Sequence, residues 1–106
     1  MKSILTKYTE YCAFCGRPTE AEHHLIFGSG FRKLSEEDGL KLPCCNECHN
    51  MGKLTERIHD NPKAEILSKM LGQMAWEKQY YKNLLGEQGD PAREAFRERF
   101  FRRSYL

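Results

Sequence analysis

The pattern of apolar and polar residues divides the chain into a strand-like half and a helical half. The two classes alternate between residues 19 and 27, a period that predicts a short strand. Residues 40–43 predict a second, shorter strand, which Pro43 closes because proline has no N–H for a sheet ladder. We therefore expect two strands that form a hairpin, with residues 28–39 as its long loop.

Downstream of residue 60 the apolar residues recur at intervals of three and four. Asn61 and Pro62 combine a helix cap with a proline at the first helical position, where its missing N–H costs nothing. They predict an amphipathic helix over residues 62–85. Its core-facing residues are expected to be Ile66, Leu67, Met70, Leu71, Met74 and Ala75.

Two shorter helices are predicted on either side of the long one. Residues 50–60 carry three apolar residues at helical spacing, namely Met51, Leu54 and Ile58. A break at residues 86–89 ends the long helix, and Asp90-Pro91 opens the last one. Phe96 and Phe100 lie one turn apart on that helix, so we expect their aromatic face to pack on the long helix or on a partner chain.

A chain of 106 residues is expected to form one domain that needs a covalent or metal staple. We divide it into a lead-in (1–11), a metal-binding core (12–60) and a helical extension (61–106). No apolar run approaches the length of a bilayer span and no signal peptide opens the chain, so we expect a cytoplasmic protein. The net charge of +2 does not select a partner, but the arginine-rich stretch 93–103 suits a phosphate backbone.

Four of the five cysteines form two Cys-x-x-Cys pairs, a spacing that lets both sulfurs reach one tetrahedral ion. Two such pairs in a small intracellular chain indicate a structural Zn²⁺ site rather than disulfides. A redox role would need a βαβ pattern, which is absent. The predicted ligands are Cys12, Cys15, Cys45 and Cys48, with Cys44 as the alternative to Cys45.

The two cysteine pairs bracket an adjacent histidine pair, His23 and His24, and a third histidine, His49, follows the last cysteine directly. A zinc ion shared by the pairs would bring these histidines together. Several imidazoles at one point suit a borderline divalent metal in an open site, and an open site is what hydrolysis needs. An unligated histidine beside that metal could take a proton from water.

These residues resemble the HNH endonucleases, in particular small zinc-binding members encoded by phages and prophages. The resemblance rests on Cys12-x-x-Cys15, Glu22-His23-His24, Asp38-Gly39-Leu40 and Cys45-x-x-Cys48-His49. It implies an α+β fold with a ββα-metal core related to the treble clef. It also implies metal-dependent cleavage of DNA to 3′-hydroxyl and 5′-phosphate ends, in the cytoplasm of a bacterial host.

The resemblance assigns roles by position. His23 and His49 would hold a catalytic metal, Mg²⁺ or another divalent ion, with His59 as a further ligand, and His24 would be the general base. Where the family has its middle asparagine, this sequence has Asp38 followed by Gly39, so the resemblance implies that Asp38 or Gly39 helps to orient the base.

Phosphate contacts are expected from Arg32, Lys33, Lys41 and Lys53. A chain of this size offers little area for base-specific contacts. The expected substrate is therefore DNA of weak sequence preference, a branched or single-stranded DNA, or RNA. One alternative is a zinc-ribbon nucleic-acid-binding module in which the histidines have no role. Another is an adaptor or homodimer that docks through the C-terminal helices by Phe96, Phe100, Phe101 and Tyr105.

Overall fold

The structure is a computed structural model and describes residues 1–83 and 90–106. Its elements in chain order are β1 (Ala21–His24), α1 (Phe31–Asp38), β2 (Lys41–Cys44), a π-helical turn (Glu47–Met51), α2 (Pro62–Asn83) and α3 (Asp90–Arg99). This small α+β arrangement with a two-stranded sheet confirms the predicted fold class at that level. The predicted break at residues 86–89 lies outside the described residues.

The two predicted strands pair as an antiparallel hairpin, in which His23 lies opposite Leu42 and His24 opposite Lys41. The connection between them was expected to be a loop, and that prediction is wrong because it contains α1. Gly39 ends this helix in the left-handed conformation, at φ 72°, and its N–H donates to the carbonyl groups of the last turn.

The helix predicted over residues 50–60 is wrong as well. Only the π-helical turn forms, and Gly52 leaves it in an extended conformation. Two of the three apolar residues that suggested a helix are exposed, Met51 by 71% and Leu54 by 58%, whereas Ile58 is buried. The chain instead turns back on itself after the π-helical turn.

One apolar core lies between the hairpin and the last helix. Its buried members are Leu25, Ile26, Leu40, Leu42, Phe96 and Phe100. The rings of Phe96 and Phe100 stack with centroids 4.4 Å apart, and Trp76 of α2 meets both edge-on. The aromatic face of α3 therefore packs on α2, as predicted, and these two rings are not free to dock a partner.

Helix α2 packs through a different face from the one its apolar residues predict. Ile66, Leu67 and Met74 are each more than half exposed. The buried positions are instead small or polar, namely Ser68, Gly72, Gln73 and Glu77. Polar partners inside the molecule make this possible, because the Gln73 amide donates to Glu77 and Ser104 and accepts from the Tyr105 N–H.

Close packing of the α2 backbone against the side chains of Leu25 and Ile26 explains the burial of Gly72. A Cβ atom at this position would lie 2.8 Å from Ile26 Cγ1 and 3.0 Å from the Leu25 Cβ. The helix can therefore lie directly on the segment that follows β1 only because position 72 carries no side chain. Among the described residues, no helix combines the length and hydropathy needed to cross a bilayer.

Candidate metal centres

The first cluster consists of the four cysteines of the two Cys-x-x-Cys pairs. Their sulfur atoms, from Cys12, Cys15, Cys45 and Cys48, all lie within 4.8 Å of one another. Such a group could hold a metal ion such as zinc. Cys44 is fully buried and lies outside this group, so the cluster includes Cys45 and not its neighbour.

Backbone geometry brings the two cysteine pairs together. The first pair lies in a turn that Gly16 makes in the left-handed conformation, at φ 79°. The Ala13 N–H donates to the carbonyl of Pro43 at 2.9 Å, which attaches this turn to the end of β2. The second pair follows β2 directly and runs into the π-helical turn. The hairpin thus carries both halves of the cluster.

The thiols of this region differ in acidity. Burial raises the pKa of the Cys12 thiol, but hydrogen bonds from backbone N–H groups, first that of Cys45, outweigh burial and lower the pKa to about 6. Burial and the neighbouring Cys12 raise the pKa of Cys44 to about 12. The cluster therefore contains a thiolate at neutral pH, whereas Cys44 stays a neutral thiol.

The second cluster consists of three histidines from three different parts of the chain. One ring nitrogen each of His23, His49 and His59 lies within 4.8 Å of the others. His23 comes from β1 and His49 from the π-helical turn. His59 reaches them because the Ile58 and His59 N–H groups donate to the carbonyls of Cys48 and His49, at 2.8 and 3.0 Å. This backbone pairing leaves the Nε2 atoms of His49 and His59 3.0 Å apart.

His23 is fully buried and its ring has one free nitrogen. Its Nε2 lies 2.7 Å from the Ser68 hydroxyl, and that hydroxyl donates its proton to the Leu25 carbonyl at 2.8 Å. Since a hydroxyl has only one proton, the His23 Nε2 carries the hydrogen and donates to Ser68. The Nδ1 of His23 is therefore the acceptor, and it has no hydrogen-bond partner.

A metal ion fits this arrangement. Burial, and after it the neighbouring His59 and His49, lower the pKa of His23 to about 3, so its ring is neutral. Burial also lowers the pKa of His49. Neutral imidazoles with lone pairs directed at one point are metal ligands, and an unpaired buried nitrogen is unfavourable until something binds it. His23 Nδ1 is the nitrogen that remains for this purpose.

The loop that carries His59 is held by its own charged residues. Arg57 donates to the carbonyls of His59 and Gly52, at 2.9 and 3.2 Å, and pairs with Asp60. On the far side of the ring, His59 Nδ1 lies 3.8 Å from a carboxylate oxygen of Glu65. The bonds of Arg57 hold the backbone of this loop, whereas the Glu65 oxygen is too far from the ring for a hydrogen bond.

His24 lies beside the second cluster and outside it. It shares a cavity with His49 and His59, whose other walls are Glu22, Phe27 and Arg32. Its Nε2 lies 2.9 Å from Glu36 Oε1, and Arg32 Nε donates to its Nδ1 at the long distance of 3.5 Å. The Nε2 hydrogen thus points at Glu36, and the Nδ1 lone pair is the basic end of the ring.

Glu36 is stabilised as a carboxylate by several donors. Hydrogen bonds from His24 first, and then from Lys41, lower its pKa to about 2. It therefore remains charged at every physiological pH. A carboxylate on the Nε2 side of His24 holds the ring in one orientation.

Two of the predicted site residues have other partners in the structure. Asp38 does not contact His24; its carboxylate accepts hydrogen bonds from Trp76 at 2.9 Å and from Arg99 at 2.8 and 3.0 Å. It therefore joins α1 to α2 and α3, and Glu36 contacts His24 in its place. Lys41 is nearly buried and pairs with Glu22 and Glu36, so its ammonium is not free for a phosphate.

The remaining predicted phosphate contacts are exposed. Arg32 lines the cavity of His24. Lys33 lies on α1, next to it, and Lys53 lies on the loop that leads to His59.

Sequence reasoning missed Glu36 and Ser68. Glu36 belongs to a segment whose glycines and charged residues predict a loop. The spacing of Phe31 and Leu34, three residues apart, is the signal that indicates α1. Ser68 occupies a polar position of α2 that the apolar pattern assigned to solvent.

Comparison with other proteins gives no family for the chain. No protein-family model matches it, and neither characterised proteins nor solved structures give a significant match.

Proposed function

We propose that the chain is a metal-dependent HNH endonuclease that hydrolyses phosphodiester bonds in DNA. The observation that carries this proposal is the cavity in which His24 lies beside two metal-competent histidines, His49 and His59. Phosphodiester hydrolysis needs a base for water and positive charge for the phosphoryl group, and this cavity combines both. The hairpin and the π-helical turn that follows it support a ββα-metal core, with an unusually short final helix.

The two clusters have different roles in this proposal. The four thiolates would hold a structural Zn²⁺ and leave no position open. The three imidazoles would hold the catalytic ion and leave positions for substrate and water. Such a ligand set favours a borderline ion such as Zn²⁺ or Ni²⁺ over Mg²⁺, which prefers oxygen ligands. When bound, that ion would stabilise the charge that develops on the phosphoryl and leaving oxygens.

His24 is the proposed general base. Its Nδ1 takes a proton from water as the water oxygen bonds to phosphorus and the bond from phosphorus to O3′ breaks. The leaving oxygen takes a proton from solvent, which gives 3′-hydroxyl and 5′-phosphate ends. Glu36 holds the ring by its Nε2 hydrogen and stabilises the imidazolium that forms. Arg32 can exchange its long contact with Nδ1 for a phosphate oxygen.

Plasmid cleavage by the purified, zinc-loaded chain tests this proposal. The assay compares Zn²⁺, Ni²⁺, Mn²⁺ and Mg²⁺ for the wild type, for His24→Ala and for Lys2→Ala, an exposed substitution that controls for preparation. We expect the wild type and Lys2→Ala to cut equally and His24→Ala to lose about 10²- to 10⁴-fold in rate. Zinc content and thermal unfolding should be the same for all three.

Equal cleavage by His24→Ala would remove the assigned base. If no protein cuts with any ion, while zinc is present and DNA binds, the chain is a nucleic-acid-binding module and the nuclease proposal fails.

A further inference from the structure

The segment after α3 holds an exposed aromatic residue in a conformation that favours glycine. Phe101 has φ 56° and the next residue, Arg102, has φ 65°. The Arg102 N–H donates to the carbonyl of Arg97, the hydrogen bond of a helix end whose left-handed residue is commonly glycine. Phe101 is nevertheless 65% exposed. Glycine at this position would relieve the backbone and remove an apolar ring from water, so the phenylalanine is unfavourable for stability on both counts.

This segment lies next to the histidine cavity on two sides. The Phe101 ring meets the edge of Phe31, with centroids 5.5 Å apart, and Phe31 is followed directly by Arg32, whose Nε reaches His24. The second connection starts from Tyr105, near the end of the chain.

Lys69 makes that second connection. Its Nζ lies 5.9 Å from the centre of the Tyr105 ring and 4.7 Å from the centre of the Phe27 ring. Phe27 in turn packs edge-on against His59, with ring centroids 4.7 Å apart. The C-terminal segment and the candidate catalytic cavity therefore belong to one continuous surface.

Positive charge surrounds the exposed ring. Arg103 lies over the Phe31 ring at 5.6 Å, Arg32 lines the cavity, and Lys69 lies over the ring of Phe27, which lines the cavity too. The Arg102 side chain forms no hydrogen bond or ion pair with another described residue. In the described part of the chain, none of these four cations forms an ion pair with a carboxylate, unlike Arg93, Arg97 and Arg99 on the preceding helix.

We infer that Phe101, Arg102 and Arg103 form a platform for single-stranded DNA, with one unpaired base stacked on the Phe101 ring beside the histidine cavity. The choice of DNA rests on the proposed function. The choice of a single strand rests on the ring itself, because the bases inside a duplex are covered on both faces by their neighbours, whereas an unpaired base is free to stack on an aromatic side chain. A duplex would meet only the cations. The platform thus gives the enzyme a preference for a strand end, a branch or an unpaired segment close to the bond that is cut.

Fluorescence anisotropy with a labelled oligothymidylate, and with a labelled duplex as reference, tests the platform. The full zinc-loaded chain is used without added divalent ions, so that binding is measured and cleavage is not required. The decisive variant is Phe101→Gly, because glycine suits the backbone at this position and the variant should be at least as stable as the wild type. We expect it to weaken single-strand binding about 10-fold and duplex binding by less than about twofold.

Two further variants separate stacking from charge. Phe101→Trp retains a stacking ring and should restore single-strand affinity. Arg102→Ala should weaken both DNA forms and lower the salt dependence of binding by about one counterion, whereas Lys2→Ala should change neither. Tyr8→Ala removes an exposed aromatic ring that is distant from Phe101 in the sequence, and it serves as the aromatic control.

Unchanged single-strand affinity in Phe101→Gly, or an equal loss for both DNA forms, would overturn the platform. The outcome is independent of the nuclease proposal. If the chain binds single strands through Phe101 but cleaves no DNA, the platform proposal stands and the nuclease proposal fails. If Phe101→Gly cleaves DNA with unchanged rate and binds it with unchanged affinity, the nuclease proposal stands and the platform proposal fails.

Discussion

The cysteine and histidine clusters meet at adjacent residues, Cys48 and His49, and yet they are built in different ways. The cysteines come from two short motifs on either side of one hairpin, and their spacing lets the two thiols of each pair reach one metal ion. The histidines come from a strand, a turn and a loop, and only the folded chain brings them together. The four cysteines would complete the coordination of one Zn²⁺ ion by themselves. The histidine cluster instead opens into the cavity of His24.

A local sequence motif can thus stabilise the fold, as the cysteine pairs do, while the candidate catalytic site depends on tertiary contacts, as the histidines do. Substitutions in the first cluster should therefore affect folding. Substitutions in the second should affect metal binding and catalysis and leave the fold intact.

The largest effect is expected from Cys45→Ala. It should release zinc and unfold the chain, because a structural zinc site contributes about 10–16 kcal/mol in small domains, as much as the whole stability of most domains. Cys44→Ala is the matched control, since this buried neighbour lies outside the cluster, and it should keep zinc and lose roughly 1–2 kcal/mol. Elemental analysis and thermal unfolding measure both. Equal zinc loss in the two variants would contradict the assignment.

The next largest effect is expected from His49→Ala. Removing one of three imidazoles should lower the cleavage rate by about 10³-fold or more, because metal stabilisation of the phosphoryl charge is worth several kcal/mol. The cysteine-bound zinc and the melting temperature should not change. Metal titration and cleavage kinetics check the prediction, and loss of zinc from the cysteine cluster would show that the two clusters are not independent.

Glu36→Gln should reduce catalysis without affecting either cluster. The amide keeps a hydrogen-bond acceptor for His24 and removes the charge that stabilises the protonated ring, so we expect kcat to fall about 100-fold with KM unchanged. Glu37→Gln is the matched control, because this neighbouring carboxylate pairs with Arg99 on α3. A similar loss of kcat in both variants would attribute the effect to helix α1 rather than to His24.

The smallest effect is expected from Ser68→Ala, which removes the acceptor of the His23 Nε2 hydrogen. The affinity of the histidine cluster for Zn²⁺ or Ni²⁺ should fall about 10-fold. Ser35→Ala is the control, because this hydroxyl is also buried and bonds the backbone of Ile26 but no histidine. Calorimetry distinguishes the two, and an unchanged affinity in Ser68→Ala would remove the positioning role.

The hairpin and the cysteine cluster were predictable from the sequence because both depend on short-range spacing. The contact of Glu36 with His24 was not predicted, because it depends on helix α1, and the glycines and charged residues of that segment outweighed the helical spacing of Phe31 and Leu34. His59 was predicted only by resemblance, since its approach to His49 depends on two backbone hydrogen bonds across a turn.

Helix α2 shows a different limit of sequence reasoning. The sequence correctly predicted that this helix begins at Pro62, but it did not predict which face of the helix is buried. The apolar rule fails there because Gln73 and Glu77 have polar partners inside the molecule and Gly72 lets the helix lie close to the side chains of Leu25 and Ile26. Neither feature is visible as periodicity.

Gly72 also matters for anyone who engineers this chain. A glycine in the middle of a long helix is an obvious position for thermostabilisation, since alanine is better there by about 1 kcal/mol in helix propensity. Here the added methyl group would collide with Ile26 and Leu25 and lift the helix from the strand end. Ser68 lies one turn earlier and would lose its reach to His23. The distance between position 72 and Ile26 thus links the stability of the helix to metal binding by the histidines. A design that introduces alanine here for thermostability would weaken metal binding.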